Sequence, residues 1–428
     1  LTGTRGAPAG GSMRHWPIKV SLFINYFVFA ILLNSVGTVI LQVQNSYGVS
    51  ASSAAVLEPF KDLSIAITSL LVASYIARIG YRHTMLIALG FITLMCLAMP
   101  QLPAYWMAKA MFASIGVSFA LIKVSVFATL GLVTDSRKAH ASLMNFLESF
   151  FMIGVVSGYF VFGAFVNDID PGSTDWLRVY YLLAGMTALA FVLLSFTRLD
   201  ESAVEEPPDA TLLSDVGVML KLCLKPLILV FIVSVFLYVL IEQSIMSWLP
   251  TFNSRILNLA PKLSIQMASI LALSTAAGRF AAGILLRRVD WAKVLIPGLL
   301  CAAGLVLVTL PMAGKSIGHG LIDSWAAAPL AAFIFPLIGF CIAPVYPAIN
   351  SVILSSLPPR QHGSMAGLIV VFSALGGTSG SLITGNLFEF FGGQTAFYFS
   401  LVPITLIIVT LLFFKGLSDR AMAAAPPQ

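Results

Sequence analysis

Apolar runs long enough to cross a bilayer recur along almost the whole of this chain, and no other feature limits its fold so strongly. A span of hydrocarbon takes about 20 predominantly apolar residues. Such runs fall near residues 17–43, 53–77, 83–101, 105–132, 140–166 and 176–196. They return near 227–250, 264–286, 293–312, 326–356, 363–389 and 394–415. Twelve spans in two sets of six predict an all-α membrane protein, because a helix satisfies its backbone polar groups internally where lipid offers no partner. Composition agrees: 58% of residues are hydrophobic and 10% charged, against roughly 25% charged in an ordinary soluble domain. That little polar cover does not fit a single water-soluble core.

The one long polar break divides the chain. Residues 13–196 are expected to form an N-terminal six-helix bundle, 197–226 a linker, 227–416 a C-terminal six-helix bundle and 417–428 a tail. Within the linker, the amphipathic stretch from Leu212 to Leu224 is expected to lie on the membrane surface, with Lys221 and Lys225 toward headgroups. Residues 1–12 are Gly-rich, end before Met13 and are expected to be a cloning remnant. The first apolar run is about as long as a full span, so no cleavable signal peptide is expected.

Charge placement orients the spans. With the N-terminus on one side, sixteen of the 24 basic residues fall in segments on that side. Arg178, Arg255, Lys262 and Lys315 fall on the other, and Lys61, Lys109, Lys123 and Arg279 inside spans. The positive-inside rule then predicts both termini in the cytoplasm, in a bacterial-type inner (plasma) membrane. The net charge of +6 lies in short loops and forms no basic face, so no nucleic-acid partner is expected. Cys96, Cys223, Cys301 and Cys341 have no metal-ligand spacing and read as small buried hydrophobes. Phosphate loops, zinc-protease helices and paired-cysteine sites are missing, so neither enzyme activity nor a cofactor is expected, nor ATP as energy source.

Seven ionisable residues lie well inside spans: Glu58, Lys61, Asp62, Lys123, Glu148, Glu242 and Arg279. Each costs about 2.5–3.5 kcal/mol near a span's centre, on the order of 20 kcal/mol together. They must pair, face a watery cavity or carry a proton. Glu58, Lys61 and Asp62, at i, i+3 and i+4, share one helix face. They read either as a local network against another helix or as a coupling or substrate site. Lys123 either neutralises Asp62 or Glu148, or receives a carboxylate or phosphate. Lys109, about one turn from a span end, is expected to snorkel to headgroups. Four acids against three bases leave one carboxyl needing a proton. A buried carboxyl favours its neutral form, so a lone Glu242, with Gln243 and Trp248 nearby, is the leading candidate to load and release it.

Two six-span halves joined by a loop resemble the major facilitator superfamily. The loop signature of that superfamily survives as a remnant in Ala77-Arg78-Ile79-Gly80-Tyr81-Arg82-His83, which lacks its Asp, and better in Gly278-Arg279-Phe280 through Gly283 to Arg287-Arg288. Gly278-Arg279-Phe280, Val345-Tyr346-Pro347 and the Gly- and Ser-rich run from Ser373 to Gly385 resemble the fucose:proton symporter group. The first half differs from that group. Asn34-Ser35-Val36-Gly37-Thr38 stands where those symporters have an acid, and Ala120-Leu121-Ile122-Lys123 where they have a Glu.

The resemblance implies a monomeric secondary carrier in the bilayer that binds a small molecule near the midplane, rocks one half against the other and takes protons as the coupling ion. It places Glu242 on a cavity-lining seventh span. It sets Glu148 opposite Arg279 across the halves, where a pair would latch the inner gate, unless Arg279 caps carbonyls of its own half. Asn34, Gln42, Tyr346 and Asn350 fall on cavity-lining spans as candidate ligands or interhelical hydrogen bonds. The expected function is proton-coupled symport of a small polar solute such as a sugar derivative, organic anion or zwitterion. The alternative is proton-driven export or flipping of an amphiphile or drug.

Overall fold

The structure, a computed structural model, describes residues 16–72, 76–132, 137–197, 199, 201, 221, 223–314, 320–357 and 361–423. Residues 1–12 and most of the proposed surface helix of the linker lie outside these. Among the described residues eleven helices are long and apolar enough to cross a membrane. The second span falls short of that length because its helix is described as Leu57–Val72 and again as Ile76–Ile79. With it, the architecture is the twelve-helix one that the sequence predicts.

Two spans are broken where the sequence carries breakers. The first consists of Trp16–Asn34 and Val36–Tyr47, interrupted at Ser35, whose hydroxyl donates to the Leu32 carbonyl at 2.7 Å. It ends at Gly48, whose φ of 61° is a left-handed turn that glycine adopts without steric cost. The tenth is segmented as Leu330–Ile334, Phe335–Leu337, Ile338–Ile342 and Val345–Ser355, with Pro336 and Pro344 at the joints. Proline lacks an N–H and strands a carbonyl. Ser274 of the eighth span (Pro261–Leu285) donates to the Pro336 carbonyl at 2.6 Å, which ties the break to the neighbouring helix.

The remnant loop signature also acquires a physical account. Gly80, at φ 89°, precedes the third span, Tyr81–Ala98. The Glu201 carboxylate from the linker accepts the backbone N–H groups of Tyr81 and Arg82, both at 2.9 Å, and so caps a helix start with negative charge. A Cβ on residue 80 would press on that carboxylate. Arg82 Nη2 donates at 2.7 Å to the carbonyl of Ser195, where the sixth span (Val179–Ser195) ends. The acid absent from the loop is thus supplied from the linker.

The halves meet on the face away from the linker. There Gln44 donates to Thr251 at 3.5 Å, Arg255 to Asn45 at 3.0 Å, and the backbone N–H of Lys262 to Asp168 at 2.9 Å. Ser52 N–H donates to Glu389 at 2.8 Å, and Ser381 to the Ala55 carbonyl at 3.3 Å. At Gly37, an added Cβ would stand 2.8 Å from the Ser247 carbonyl, which shows how closely the first and seventh spans approach. Toward the linker face no hydrogen bond between described residues joins the fifth span (Arg137–Gly163) to the eighth, and Lys123 and Glu148 are exposed. The cleft between the halves therefore opens on the linker face and is sealed on the far face.

Candidate functional site

The seven intramembrane charges do not share one vestibule; they form two groups. The first is dry. Glu58, Lys61 and Asp62 are 0%, 4% and 7% exposed. Lys61 Nζ lies 2.5 Å from Glu58 Oε1 and 3.5 Å from Asp62 Oδ1. Their i, i+3, i+4 spacing makes this network, and the other half completes it. Ser247 of the seventh span (Pro226–Arg255) donates to Glu58 Oε2 at 2.7 Å. Gly377 of the eleventh span (His362–Phe391) leaves the room that the Asp62 carboxylate occupies, with Gln243 beside it. The cluster is therefore wedged into the seam between the halves.

The second group is accessible. Lys123, on the fourth span (Tyr105–Leu132), is exposed although it sits deep among its neighbours, and Glu148 on the fifth is exposed too. Phe119, one turn before Lys123, packs at 6.3 Å on Phe151, three residues after Glu148, so the two charges lie on adjoining faces of the fourth and fifth spans. Glu148 lies within electrostatic range of Arg279 of the other half, which places it at the gap between the halves. The Lys123 ammonium lies 5.8 Å from the Phe119 ring centre and 5.9 Å from that of Phe127. On the opposite wall, Arg279 Nη2 donates to Glu242 Oε1 at 3.2 Å, and the Tyr238 hydroxyl donates to the same oxygen at 2.7 Å. Tyr238 packs on Tyr346 with ring centres 5.7 Å apart. Gly278 brings the eighth span against the Phe340 backbone, and this close approach fixes the helix that carries Arg279.

Several expectations change. Lys123 is not a partner of Asp62. Gly116, on its own helix, lies against the Lys61 backbone, and seven residues on at ~1.5 Å each set Lys123 about 10 Å nearer the linker face. Its charged neighbour is Glu148. Glu242 is not a lone carboxyl, because Tyr238 one turn earlier and Arg279 both hold it. Arg279 hydrogen-bonds Glu242 rather than Glu148 in this state, since both belong to the same half and the halves stand apart here. Trp248 is 0% exposed, donates to Ser381 at 3.2 Å and stacks on Phe388 at 5.6 Å, so it belongs to the far-side seal and not to the cavity wall.

Asn34 is half-buried at the first-span break and donates to the Ala30 carbonyl at 2.9 Å. Tyr346 and Asn350 are half-buried, and Tyr346 lies 3.4 Å from Ser373 Oγ. Gln243 is half-buried between the two groups. Gln42 is buried, and Lys109 lies 4.4 Å over the Tyr105 ring. Among the described residues no three His, Cys, Asp or Glu side chains gather as metal ligands.

Reading along the chain missed three contributors. Tyr238 was legible as the i−4 neighbour of Glu242. Ser247 and the aromatic lining by Phe119 and Phe127 were not, because a serine or phenylalanine in a span carries no distinguishing signal.

The family model described as Major Facilitator Superfamily matches residues 22–380. The chain belongs to the major facilitator superfamily. Its fold is similar to that of a bacterial homologue of the human lysosomal transporter Spinster in an inward-facing, occupied conformation. That match has a TM-score of 0.68 at 15% identity over 98% of each chain. It is also similar to the nucleoside transporter NupG, with a TM-score of 0.66 at 15% identity over 95% of this chain and 98% of that one. The E. coli fucose:proton symporter gives 0.58 at 14% identity over 94% and 99%. No curated protein matches. At these identities the likeness is one of fold, and this superfamily member is a multi-pass membrane transporter whose solute must be argued from its own residues.

Proposed function

We propose that this protein takes up a small polar solute by proton-coupled symport, with alternating access. The linker face is assigned to the cytoplasm of a bacterial-type inner membrane, following the basic residues of its loops. The carrying observation is the division of the charges. Lys123, Glu148, Glu242 and Arg279 sum to zero, whereas Glu58, Lys61 and Asp62 sum to minus one when all are ionised. An unbalanced charge in a dry seam costs several kcal/mol, and one proton removes it.

Glu58 receives hydrogen bonds from both Lys61 and Ser247, while Asp62 holds Lys61 at 3.5 Å. Asp62 is therefore the assigned proton carrier in place of Glu242. The seventh and eleventh spans bring Ser247, Gln243 and Gly377 against the cluster, and none of these titrates. Rocking the halves apart on the far face would part Ser247 from Glu58 and admit water to Asp62. Closure would carry the proton into the seam, with the solute held lower down between Lys123, Glu148 and the Glu242–Arg279 pair. That sequence couples one proton to one closure.

A second reading, export or flipping of an amphiphile, has one observation in its favour. A cavity of about 900 Å³ lies between the first, fifth and sixth spans, lined by Lys19, Phe23, Phe146, Phe150 and Leu189. It suits an acyl chain under an anionic headgroup. The test is reconstitution into liposomes with an imposed pH gradient and a panel of sugars, nucleosides, amino acids and lysophospholipids. Solute-dependent proton entry that disappears in Asp62→Asn supports symport. Accumulation that an uncoupler leaves untouched removes proton coupling. Proton movement evoked by lysophospholipid alone selects the second reading.

A further inference from the structure

Two opposite charges on the N-terminal wall of the cleft stand accessible and without a hydrogen-bonding partner among the described residues. They are the Lys123 ammonium and the Glu148 carboxylate. Their helix faces adjoin through Phe119 and Phe151, with ring centres 6.3 Å apart, yet no ion pair joins the two charges. Lysine has three donors to place and a carboxylate about four lone-pair sites, so both keep their full capacity for a ligand. The facing wall does not compete, because Glu242 and Arg279 are already joined at 3.2 Å.

The surroundings are aromatic rather than hydroxylated. Phe119 and Phe127 flank the ammonium. Phe151 packs near Phe119 at 6.3 Å, and Tyr26 near Phe127 at 6.4 Å. The Tyr26 hydroxyl, buried and unpartnered, lies within electrostatic reach of Glu148.

We propose that Lys123 and Glu148 are the two poles of a site for a zwitterion of the α-amino-acid class with an apolar or aromatic body. The ligand carboxylate meets Lys123, its ammonium meets Glu148, and its body packs against Phe119 and Phe127. This assignment rests on the transporter reading above and names its solute. A net-neutral zwitterion adds no charge to a cleft whose four charges already cancel. A simple acid or amine leaves one pole unmatched, and an uncharged sugar leaves both, which is costly once closure of the cleft excludes water.

The test is ligand binding by the purified full chain in detergent, read as thermal stabilisation and as competition against radiolabelled L-leucine. The probes are L-phenylalanine and L-leucine, the deaminated acids 3-phenylpropionate and 4-methylpentanoate, the amines 2-phenylethylamine and 3-methylbutylamine, and fucose. The zwitterions are expected to bind, with the acids and amines weaker by about tenfold or more, the worth of one charged hydrogen bond. Lys123→Gln should erase the preference for zwitterion over amine, and Glu148→Gln the preference over acid. Combining Lys123→Glu with Glu148→Lys should restore binding that either change alone abolishes, which separates a charge-matched site from a folding defect.

Acids or amines binding as tightly as zwitterions, indifference of zwitterion binding to both glutamine variants, or stabilisation by fucose alone would overturn the assignment. Zwitterion binding without solute-dependent proton entry in liposomes would instead sink the coupling and leave this site standing.

Discussion

Ser247 Oγ stands 2.7 Å from Glu58 Oε2, so a hydroxyl of the C-terminal half donates to a carboxylate of the N-terminal half inside the far-side seal. Both residues are fully buried. Hydrogen bonds to charged groups are worth about 1.5–3 kcal/mol, enough to weigh the balance between sealed and open seams. Ser247→Ala is expected to shift the population toward the open far face by roughly tenfold or more. The check is the maleimide labelling rate of a cysteine placed at Gln44 in a chain without its four native cysteines. An unchanged rate would mean that this bond does not hold the seal.

Gly377 and Gly283 form a matched pair of glycines. A methyl on Gly377 would fall on the Asp62 carboxylate, whereas one on Gly283 meets nothing within 4 Å. Gly377→Ala is expected to cost about 1–3 kcal/mol through overpacking. Gly283→Ala should stabilise its helix by up to about 1 kcal/mol. Thermal midpoints of the two variants give the comparison. Adding Asp62→Ala to Gly377→Ala should recover most of the loss, since it empties the space the methyl needs.

How much of this was legible in the sequence follows from the range of each interaction. Span count and the placing of Glu58, Lys61 and Asp62 on one helix face are set within single helices, so spacing showed both, whereas it left open whether that face forms a network or a solute site. The partition of charges was not legible. Whether Arg279 meets Glu148 or Glu242 depends on how far the halves have rocked, and that distance is written in no local pattern. Trp248 misled for a related reason: its place beside Glu242 in sequence says nothing of the two turns of helix that put it into the seal. The carboxylate on the third-span cap comes from Glu201, more than a hundred residues from the loop it completes.

The Arg279–Glu242 pair is partly open to the cleft, with side chains 42% and 18% exposed. Solvent screening lowers its worth from that of a dry pair to about 1–2 kcal/mol. In a double-mutant cycle, Arg279→Ala and Glu242→Gln are expected to cost less together than the sum of the single changes. Denaturation midpoints of the four proteins measure the coupling. Strict additivity would show the pair to be absent in solution.

In the loop before the ninth span, Asp290 accepts from Lys415 Nζ, at the linker-side end of the twelfth span, with both oxygens, at 3.2 and 3.1 Å. Partial burial raises the Asp290 carboxyl, but the bond to Lys415 and backbone N–H groups outweigh it and hold the group below its ordinary value. A carboxyl depressed in the folded state stabilises above its unfolded pKa of about 3.9 and loses that contribution as pH falls through the folded value. The pair is solvent-exposed, so its worth is at most about 1 kcal/mol. Asp290→Asn is therefore expected to lower the thermal midpoint slightly at pH 7, with the gap to wild type closing as the pH falls below 4.

For symport as proposed, one carboxyl in the seam is neutral at pH 7, and that carboxyl is Asp62. Infrared difference spectroscopy of the purified chain reads this without knowing the solute, because a protonated carboxyl has its own carbonyl-stretch band, which shifts in heavy water. The band is expected in the wild type and in Glu242→Gln, and absent in Asp62→Asn. A spectrum with no such band, or one whose band survives Asp62→Asn and vanishes in Glu242→Gln, would contradict it.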